Sequence, residues 1–384
     1  MAVRVTMVRR ERNISTSMDV YADSLIAELR VARPGWLIQE ISPQPWNKDG
    51  HSWRSGIGLR KYYERLWRHP RAVEQLESDI FHILDHSDAH VARWLKNKDR
   101  AVVVTCHDLV QFVYPEILKD VSRFPAVSLA SWKYSVTGMK HADRVVSVSS
   151  NTASDVAQML KLAPEKITVI PNGVDTYFQP LPSQEVADIR TQYEGSQETF
   201  CLLNVGVTQQ RKNISTVLRV LAKVSAIGIP VRLWKVGDGF TDEQQNFIQT
   251  HNLESMIVLL GKPDKETLRK LYNAADSLIA PSLYEGFGLT VIEAMACGTP
   301  VITSNVSSLP EVVGDAAVSV APLDVDAMAA AVCKIRQNVD YRGQLIEKGI
   351  LRAKTFTWQN TAQQVADVYE TIILEKQRTS QRRS

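Results

Sequence analysis

Short runs of β-branched and other apolar residues alternate with amphipathic helical stretches along nearly the whole chain, and this alternation constrains the fold more than any other feature. Continuous apolar runs separated by helices are typical of parallel sheets that are covered by helices on both faces. The sequence therefore predicts an α/β protein. The predicted strands are Val3–Val8, Trp36–Ile41, Ile80–Leu84, Ala101–Thr105, Arg144–Val148, Ile167–Ile170, Phe200–Val205, Val231–Val236, Met256–Leu260, Ser277–Ala280, Pro300–Thr303 and Ala317–Val320.

One segment interrupts this alternation near the middle of the chain. Residues 171–182 contain three prolines and a glycine, which is a composition typical of a linker. At 384 residues the chain is long enough for two or three domains, each with a core of its own. We therefore expect two doubly wound domains at residues 1–178 and 179–357, followed by a C-terminal helix with a frayed Arg/Ser-rich tail at 358–384.

The composition excludes several classes of protein. Apolar residues make up 44% and charged residues 23%, which is the balance of a soluble globular protein, and no run of about 18 apolar residues occurs. The first residues lack the features of a signal peptide. The four cysteines lie far apart without a metal-binding spacing, so we expect reduced thiols and a cytoplasmic location. A formal net charge of +3 is too small to indicate nucleic acid as a partner.

The segment 282–300 carries most of the chemical information. Two carboxylates, Glu285 and Glu293, stand eight residues apart, with Gly286 and Gly288 between them and an apolar strand on either side of the segment. A strand that ends in a glycine turn and opens a helix is where α/β sheets bind phosphate-bearing ligands. Glu285 would stand at the end of the strand, where a carboxylate can project into a cleft.

Glu293 also has a structural explanation. The sequence from Thr290 to Glu293 matches a capping box, in which the glutamate folds back onto the helix N-terminus and contributes about 1 kcal/mol. This explanation accounts neither for Glu285 nor for the two glycines. For the glycines the structural alternative is simple turn formation.

A second strand that ends in glycine lies earlier in the chain. Gly206 follows the strand 200–205, and Arg211 and Lys212 lie in the next loop, with Asn213 as the predicted N-cap of a helix. Adjacent cations at the carboxyl end of a strand suit a diphosphate, because arginine can bind it bidentately and lysine acts as a point charge. The alternative is a solvated basic pair on a loop.

The segment 282–300 resembles the signature of the retaining family-4 glycosyltransferases, and the resemblance extends from about residue 80 to about residue 370. Other segments that resemble this family are Thr105-Cys-His-Asp-Leu109, Ile170-Pro-Asn-Gly-Val-Asp175, Val236-Gly-Asp-Gly239, Leu271-Tyr-Asn-Ala-Ala-Asp276 and Leu309-Pro-Glu-Val-Val313. The resemblance implies the GT-B fold, in which two Rossmann-like domains face each other across a cleft and the last helix crosses back to the first domain. The N-terminal domain would bind the acceptor and the C-terminal domain the nucleotide-sugar donor.

The resemblance also implies roles for individual residues. Glu285 would contact the hydroxyls of the donor sugar, and Glu293 those of the ribose. The catalytic candidates are Glu285, Lys212 and His107. The donor-binding candidates are Gly206, Arg211, Lys212, Glu285, Gly286, Phe287, Gly288, Leu289, Thr290 and Glu293. Cations and a helix N-terminus can stabilise a leaving diphosphate, so we expect neither a metal nor another cofactor.

His107 follows the strand 101–105, and in the family a histidine in this position approaches the donor sugar; the alternative is a structural histidine. Two features depart from the family. Val207 stands where many relatives have an arginine, and Arg211 is expected to supply that charge. The first loop, residues 9–17, lacks a glycine pair. We expect it to contribute to acceptor selection or to a modified donor clamp.

The stretch from His51 to Arg71 interleaves cations with aromatic residues. If residues 59–68 are helical, the apolar side chains share one face and the cations line the other. This composition suits a helix at an anionic membrane surface, where it would bring a lipid-linked acceptor to the cleft. The membrane or acceptor candidates are Arg60, Lys61, Arg65, Trp67 and Arg68. The alternative is an ordinary surface helix with its cations in water.

These features together favour a retaining, metal-independent glycosyltransferase. It would transfer a hexose from a nucleotide diphosphate sugar, with GDP-mannose preferred to UDP-glucose, to a hydroxyl of a glycan or a lipid-linked glycan in bacterial polysaccharide assembly. The expected location is the cytoplasm, with peripheral binding at the inner face of the cell membrane. The alternatives are a sugar phosphorylase or epimerase with the same fold, and a non-catalytic glycan-binding pseudoenzyme.

Overall fold

The computed structural model describes residues 2–12, 16–43, 62–95, 100–116, 125–193 and 198–381 of the chain. Two compact units are present: the first contains Met1–Gly173 and Trp358–Ser384, and the second contains Val174–Thr357. The predicted boundary at residue 178 lies a few residues further along the chain. Each unit is built on a six-stranded parallel sheet, which confirms the predicted α/β fold with two Rossmann-like domains.

The sheet of the first unit has the strand order β2-β1-β3-β4-β5-β6, and every pairing in it is parallel. Its strands are β1 (Arg4–Val8), β2 (Leu37–Ile41), β3 (Ile80–Ile83), β4 (Ala101–Cys106), β5 (Arg144–Ser147) and β6 (Ile167–Val169). The strands β3 and β4 are fully buried, as expected for the centre of a sheet that is covered on both faces.

The sheet of the second unit has the order β12-β11-β10-β7-β8-β9 and is also parallel. Its strands are β7 (Phe200–Val205), β8 (Val231–Val236), β9 (Ile257–Gly261), β10 (Ser277–Ala280), β11 (Val301–Ser304) and β12 (Val318–Val320). All predicted strands of both units are confirmed, with ends that agree to within about one residue.

Helices connect consecutive strands and cover the sheets. The described α-helices are α1 (Thr16–Ala32), α2 (His69–Glu74), α3 (Ala92–Leu95), α4 (Val110–Val113), α5 (Pro125–Val136), α6 (Ser150–Leu160), α7 (Ser183–Gln192), α8 (Ile214–Ala226), α9 (Asp242–Thr250), α10 (Lys265–Ala274), α11 (Leu289–Ala296), α12 (Leu309–Val313), α13 (Val325–Gln337), α14 (Val339–Ala353) and α15 (Trp358–Gln381). Shorter helical turns are Glu64–Arg68, His86–Val91, Thr137–His141, Pro164–Lys166, Gln210–Lys212 and Glu254–Met256.

The helices follow from the spacing of their apolar residues. In α8, Ile214, Val217, Leu221 and Val224 recur at three- and four-residue intervals, and all are buried in the core of the second unit. The last helix, α15, packs in the core of the first unit together with α1.

The strand orders determine where each unit can bind a ligand. In the second sheet β7 lies between β8 and β10, so the connections from β7 and β10 run to opposite sides. In the first sheet the same reversal occurs between β1 and β3. Open α/β sheets bind ligands at the carboxyl ends of the strands that flank such a reversal. The loops after β7 and β10 are therefore the first place to look in the second unit.

Candidate functional site

The turn after β10 holds Glu285 in a fixed direction. The Ser307 hydroxyl accepts a hydrogen bond from the Glu285 N–H at 3.2 Å and donates one to the Glu285 carbonyl at 2.6 Å. The Ser308 hydroxyl lies 2.9 Å from the carbonyl oxygens of both Glu285 and Phe287. Ser307 itself has a left-handed φ of +59°, a conformation that costs about 1 kcal/mol or more for a residue other than glycine. The backbone is thus strained locally in order to place this turn.

The carboxylate of Glu285 accepts hydrogen bonds from three side chains. Lys212 Nζ lies 2.5 Å and Ser282 Oγ 2.8 Å from Oε1, and Arg211 Nη1 lies 3.1 Å from Oε2. Burial is the largest influence on this group and would raise its pKa, but the charges of Lys212 and Arg211, with the hydrogen bonds, together bring the pKa below its ordinary value. Glu285 is therefore ionised at neutral pH, so it can accept hydrogen bonds but has no proton to donate.

This cluster confirms that the loops after β7 and β10 meet. The side chains of Arg211 and Lys212 are only 19% and 15% exposed, and both are ion-paired with Glu285. The alternative of a solvated basic pair is therefore wrong. The two loops are also joined through their backbones, because the Leu283 N–H donates to the Arg211 carbonyl at 2.7 Å.

Gly206 and Gly237 allow close packing of the turn after β7 against Lys212 and the end of β8. Gly206 has a φ of +144°, and a Cβ at this position would lie 3.5 Å from Cε of Lys212. Gly237 follows β8 with a φ of +108°, and a Cβ there would lie 2.1 Å from the Gly206 carbonyl oxygen. A side chain at Gly237 is therefore excluded. The close approach brings the carboxyl ends of β7 and β8 together beneath Lys212.

Asn213 occupies the predicted N-cap position of α8, and its side chain has a further role. It is the residue before α8, but its side chain does not cap the helix. Its amide nitrogen instead donates to the carbonyls of Pro281 at 2.9 Å and Pro322 at 2.8 Å, and its oxygen accepts from the Thr216 hydroxyl at 2.9 Å. Asn213 thus ties the loop after β7 to the loops after β10 and β12. The predicted N-cap position is therefore confirmed, but the side chain bonds to the neighbouring loops and not to the N–H groups of the helix.

The helix α11 begins directly after the glycine turn. Gly288, with a φ of +112°, precedes it, so Leu289 and Thr290 are its first residues. Backbone N–H groups in the first turn of a helix lack intrahelical acceptors and carry a partial positive charge. Phe287 is buried and packs edge-on against Phe356, with ring centroids 5.6 Å apart. The turn therefore presents donors at the same strand end as Glu285.

Glu293 does not form the capping box. The residue before the helix is Gly288, and no side chain caps that end. The Glu293 carboxylate instead accepts a hydrogen bond from the Tyr272 hydroxyl of α10 at 2.8 Å. Burial is the largest influence on this group and raises its pKa to about 7. The structural explanation for Glu293 is therefore wrong, and a partly buried carboxylate remains whose charge is sensitive to pH near neutrality.

His107 lies at the carboxyl end of β4 in the first unit, where the sequence placed it. Its Nε2 donates to the Leu84 carbonyl at 2.8 Å, so Nδ1 is the acceptor nitrogen of the neutral ring. The Tyr21 ring packs edge-on against it at a centroid distance of 4.6 Å, and the His107 N–H donates to Nδ1 of His86 at 3.3 Å. Burial lowers the pKa of His107. The ring is thus fixed, neutral and able to accept a hydrogen bond.

Among the membrane or acceptor candidates, Arg60 and Lys61 lie outside the described residues. The rings of Tyr63 and Trp67 stack at a centroid distance of 6.2 Å and are 54% and 44% exposed. These two aromatic residues therefore face solvent.

The neighbouring cations are engaged within the first unit. Arg65 Nε lies 2.9 Å from the buried Asp88 Oδ1, and Arg68 Nε lies 2.5 Å from Glu64 Oε2. The predicted placement of Arg65 on a cationic face in water is wrong, because its side chain is only 27% exposed and pairs with the buried Asp88. No helix in the described ranges has a stretch long and apolar enough to cross a bilayer.

The first loop starts with a buried cation that the sequence did not assign. Arg9 is 3% exposed, and its Nη1 lies 2.6 Å from Asp23 Oδ1 and 2.9 Å from Glu40 Oε2. Asp19 is a third partner of the same guanidinium, at 3.3 Å from Nη2. Residues 13–15 lie outside the described part of the chain. The role of this loop in acceptor or donor binding remains a prediction.

Sequence reasoning also missed residues around the main cluster. Ser282 and Ser307 position Glu285, and Tyr272 holds Glu293, yet serine and tyrosine at these positions have no distinctive spacing. Lys235, which is fully buried in β8, did carry a signal, because a lysine inside an otherwise apolar strand is unusual. In the described ranges no group of three or more His, Cys, Asp or Glu side chains is arranged to hold a metal ion.

Two family models match the chain. The model described as "Glycosyl transferases group 1" matches residues 186–352, within the second unit. The model described as "Glycosyltransferase Family 4" matches residues 31–178, most of which lie in the first unit. The two matches together span the second sheet and every strand of the first sheet except β1.

Individual proteins show the same similarity. The O-antigen chain mannosyltransferase B of Escherichia coli is 30% identical over 283 residues, which are 73% of this chain and 72% of that protein. The structure of sucrose-phosphate synthase from Thermosynechococcus elongatus has a TM-score of 0.75 at 22% identity and covers 97% of this chain and 100% of its own. The structure of Anabaena HepE in complex with UDP and glucose has a TM-score of 0.72 at 18% identity, with 96% and 100% covered. The two structures share the fold of this chain.

Proposed function

This chain belongs to the family-4 glycosyltransferases with the GT-B fold, and from that premise we propose a retaining enzyme that uses a nucleotide diphosphate sugar. The observation that carries the proposal is the cluster of Arg211, Lys212 and Glu285 at the strand-order reversal of the second sheet. Two cations and the first turn of α11 surround a position where a dianionic diphosphate would be stabilised.

The cations can bind phosphate without releasing Glu285. An ammonium group has three donors and a guanidinium group has five, and the carboxylate uses only one of each. Lys212 and Arg211 can therefore bridge the carboxylate and the phosphate oxygens. The first-turn amides at Leu289 and Thr290 would add uncharged donors on the opposite side of the diphosphate.

The protonation state of Glu285 favours a role in sugar binding over a role in proton transfer. Because its pKa is lowered, the carboxylate accepts hydrogen bonds from hydroxyls and does not act as a general acid. In the proposed reaction the bond between C1 of the hexose and the phosphate oxygen breaks, and C1 bonds to the acceptor oxygen on the same face. The acceptor proton passes to the departing phosphate oxygen. The product keeps the anomeric configuration of the donor.

Glu293 is proposed to bind the ribose hydroxyls, and His107 to accept a hydrogen bond from the donor sugar through Nδ1. Both proposals rest on the family resemblance, and the local geometry supplies a suitable acceptor in each case. The reaction is proposed to need no metal. Removal of divalent ions with EDTA should therefore leave turnover unchanged.

The proposed donor is GDP-mannose, with UDP-glucose next, and the proposed acceptor is a glycan in polysaccharide assembly. The name of the Escherichia coli relative supports a mannosyl donor and a polysaccharide acceptor. Release of GDP or UDP from these donors, with and without glycan acceptors, tests the proposal. We expect acceptor-dependent release and a product that NMR shows to retain the donor configuration.

The other outcomes of this experiment identify the alternatives. Sugar 1-phosphate formed from inorganic phosphate would indicate a phosphorylase, and glycan binding without nucleotide release would indicate a pseudoenzyme. An inverted product would overturn the retaining mechanism but not the transfer reaction.

A lipid-linked acceptor at the inner face of the cell membrane is the remaining part of the proposal. The exposed Tyr63 and Trp67 rings beside Arg68 support it, because aromatic and basic side chains are favoured at an anionic interface. Trp67→Ala with Arg68→Gln should weaken binding to vesicles that contain anionic phospholipid, whereas Leu323→Ala, at an exposed apolar residue of the second unit, should not. Unchanged vesicle binding of the double variant would exclude this surface. Arg65 is left intact, since its loss would strand a buried carboxylate.

A further inference from the structure

Lys235 is a fully buried lysine whose ammonium lies beneath the turn after β7. It is part of β8, and its Nζ donates to the Gly206 carbonyl at 2.7 Å and to the Val236 carbonyl at 3.0 Å. These carbonyls stand at the carboxyl ends of β7 and β8. Lys235 therefore contacts the turn that carries Lys212 from the buried side of that turn.

The contact fixes the orientation of one peptide group. Because the C=O and N–H of a trans peptide point in opposite directions, a Gly206 carbonyl that is turned toward Lys235 directs the Val207 N–H away from it. Gly237 reinforces this orientation, since its Cα packs against the same carbonyl oxygen. The Val207 N–H is thereby aimed outward from the carboxyl end of the sheet, where an anion can accept a hydrogen bond from it.

The ammonium of Lys235 is bound by carbonyl groups and not by a carboxylate. No carboxylate in the described ranges lies within ion-pair distance of it, and its strand neighbours Leu233 and Trp234 are buried apolar residues. The pKa of Lys235 is lowered to about 8, chiefly by burial; among the nearby charges Asp238 acts to raise the pKa and Lys212 to lower it. Burial of an uncompensated ammonium is costly, and an apolar side chain of similar volume is often neutral or stabilising.

We propose that Lys235 is a positioning residue of the diphosphate site, which orients the Val207 N–H toward the phosphates and adds a cation behind the turn. This inference rests on the proposed function and extends it to a residue that does not touch the ligand. Lys235 adds a third cation to Arg211 and Lys212, and the added positive charge favours an anionic ligand.

Lys235→Met tests the proposal by calorimetric binding of GDP and guanosine, or of UDP and uridine if UDP binds the wild type more tightly. We expect the affinity for the diphosphate to fall about tenfold, which is the change expected for the loss of one charge-assisted hydrogen bond, here that of the Val207 N–H. The affinity for the nucleoside should change less than about twofold. Thermal stability should be unchanged or higher. Lys223→Met removes an exposed lysine of α8 in the same unit and should alter neither affinity.

A purely structural role predicts a different pattern. If Lys235 only holds the turn together, Lys235→Met should lower thermal stability and reduce the affinities for diphosphate and nucleoside equally. That result would overturn the inference while leaving the proposed function intact. A wild type that binds no nucleoside diphosphate more tightly than its nucleoside would overturn the proposed function as well.

The wild-type protein provides a second test that needs no variant. The ratio of diphosphate to nucleoside affinity should fall between about pH 7 and pH 9, as Lys235 loses its proton. The other charged groups around its ammonium are Lys212 on the turn after β7 and Asp238 after β8. A constant ratio across the range would contradict the proposed contribution of its charge.

Discussion

Replacement of Glu293 by glutamine should stabilise the protein at alkaline pH and have little effect at acidic pH. The carboxylate is partly buried in α11, its only described hydrogen bond is from the Tyr272 hydroxyl, and its pKa is raised to about 7, chiefly by burial. A glutamine side chain has nearly the same shape and can still accept the tyrosine hydrogen bond through its carbonyl. The substitution therefore removes the charge and little else.

The magnitude follows from the two protonation states. The pKa is about 7 in the folded chain and 4.5 in an unfolded one, so the folded state binds more protons between these values. The stabilising contribution of protonated Glu293 is fully present below about pH 4.5 and is lost as the pH rises through about 7. The full difference between the folded and unfolded pKa of Glu293 corresponds to a loss of about 3 kcal/mol in the free energy of unfolding at pH 8. Because water reaches part of the side chain, we expect about 2 kcal/mol.

Differential scanning calorimetry of the full chain at about pH 5 and pH 8 measures this effect. For a unit of this size, about 2 kcal/mol corresponds to a rise of about 4–8 °C in the melting temperature of the second unit at pH 8, with most of the rise absent at pH 5. Glu347→Gln is the matched control, because Glu347 is an exposed glutamate in α14 of the same unit. A difference between Glu293→Gln and wild type that is the same at both pH values would refute the reasoning.

Glu285→Gln should lower turnover by about 100-fold or more and leave nucleoside diphosphate affinity largely intact, because sugar contacts are lost while both cations remain; near-normal turnover would show that the carboxylate has been misassigned. His107→Ala should reduce turnover without weakening nucleotide binding, since its acceptor nitrogen is proposed to contact the sugar, and a matching loss of nucleotide affinity would argue for a structural histidine. Gly237→Ala should cost about 2 kcal/mol or more, because its methyl group would lie 2.1 Å from the Gly206 carbonyl oxygen. By contrast, Gly343→Ala, at a helical position with open space, should stabilise by about 0.5–1 kcal/mol.

The strands were predictable because their information is local. A strand that is buried on both faces is largely apolar, so β3, β4 and β7 can be read from the sequence even though each contains one buried polar residue, namely His82, Thr105 and Asn204. The meeting of Arg211 with Glu285 was predictable for a related reason. Both residues follow strand ends, and in a parallel sheet those ends lie along one edge. Neither prediction required knowledge of which side chain contacts which.

The errors concern contacts between elements that are distant in sequence. The spacing from Thr290 to Glu293 fits a capping box, yet Gly288 starts the helix earlier and places Thr290 inside it. Glu293 then pairs with Tyr272, which the helix α10 supplies from elsewhere in the unit. A sequence motif indicates which residues have a suitable spacing to interact. The order of the strands and helices in the fold determines which of them are in contact.

Lys235 and Glu285 differ in how their buried charges are compensated. Each is a buried charge, but Glu285 has two cationic partners and a lowered pKa, while Lys235 has only carbonyl partners and also has a lowered pKa. For the carboxylate that direction favours the charged form, and for the ammonium it favours the neutral form. With a pKa of about 8, Lys235 is still mostly protonated at neutral pH, so a positive charge without a carboxylate partner lies behind the turn after β7. Burial of such a charge is costly, and an anion bound at the turn would offset that cost, as the proposed phosphate-bearing ligand requires.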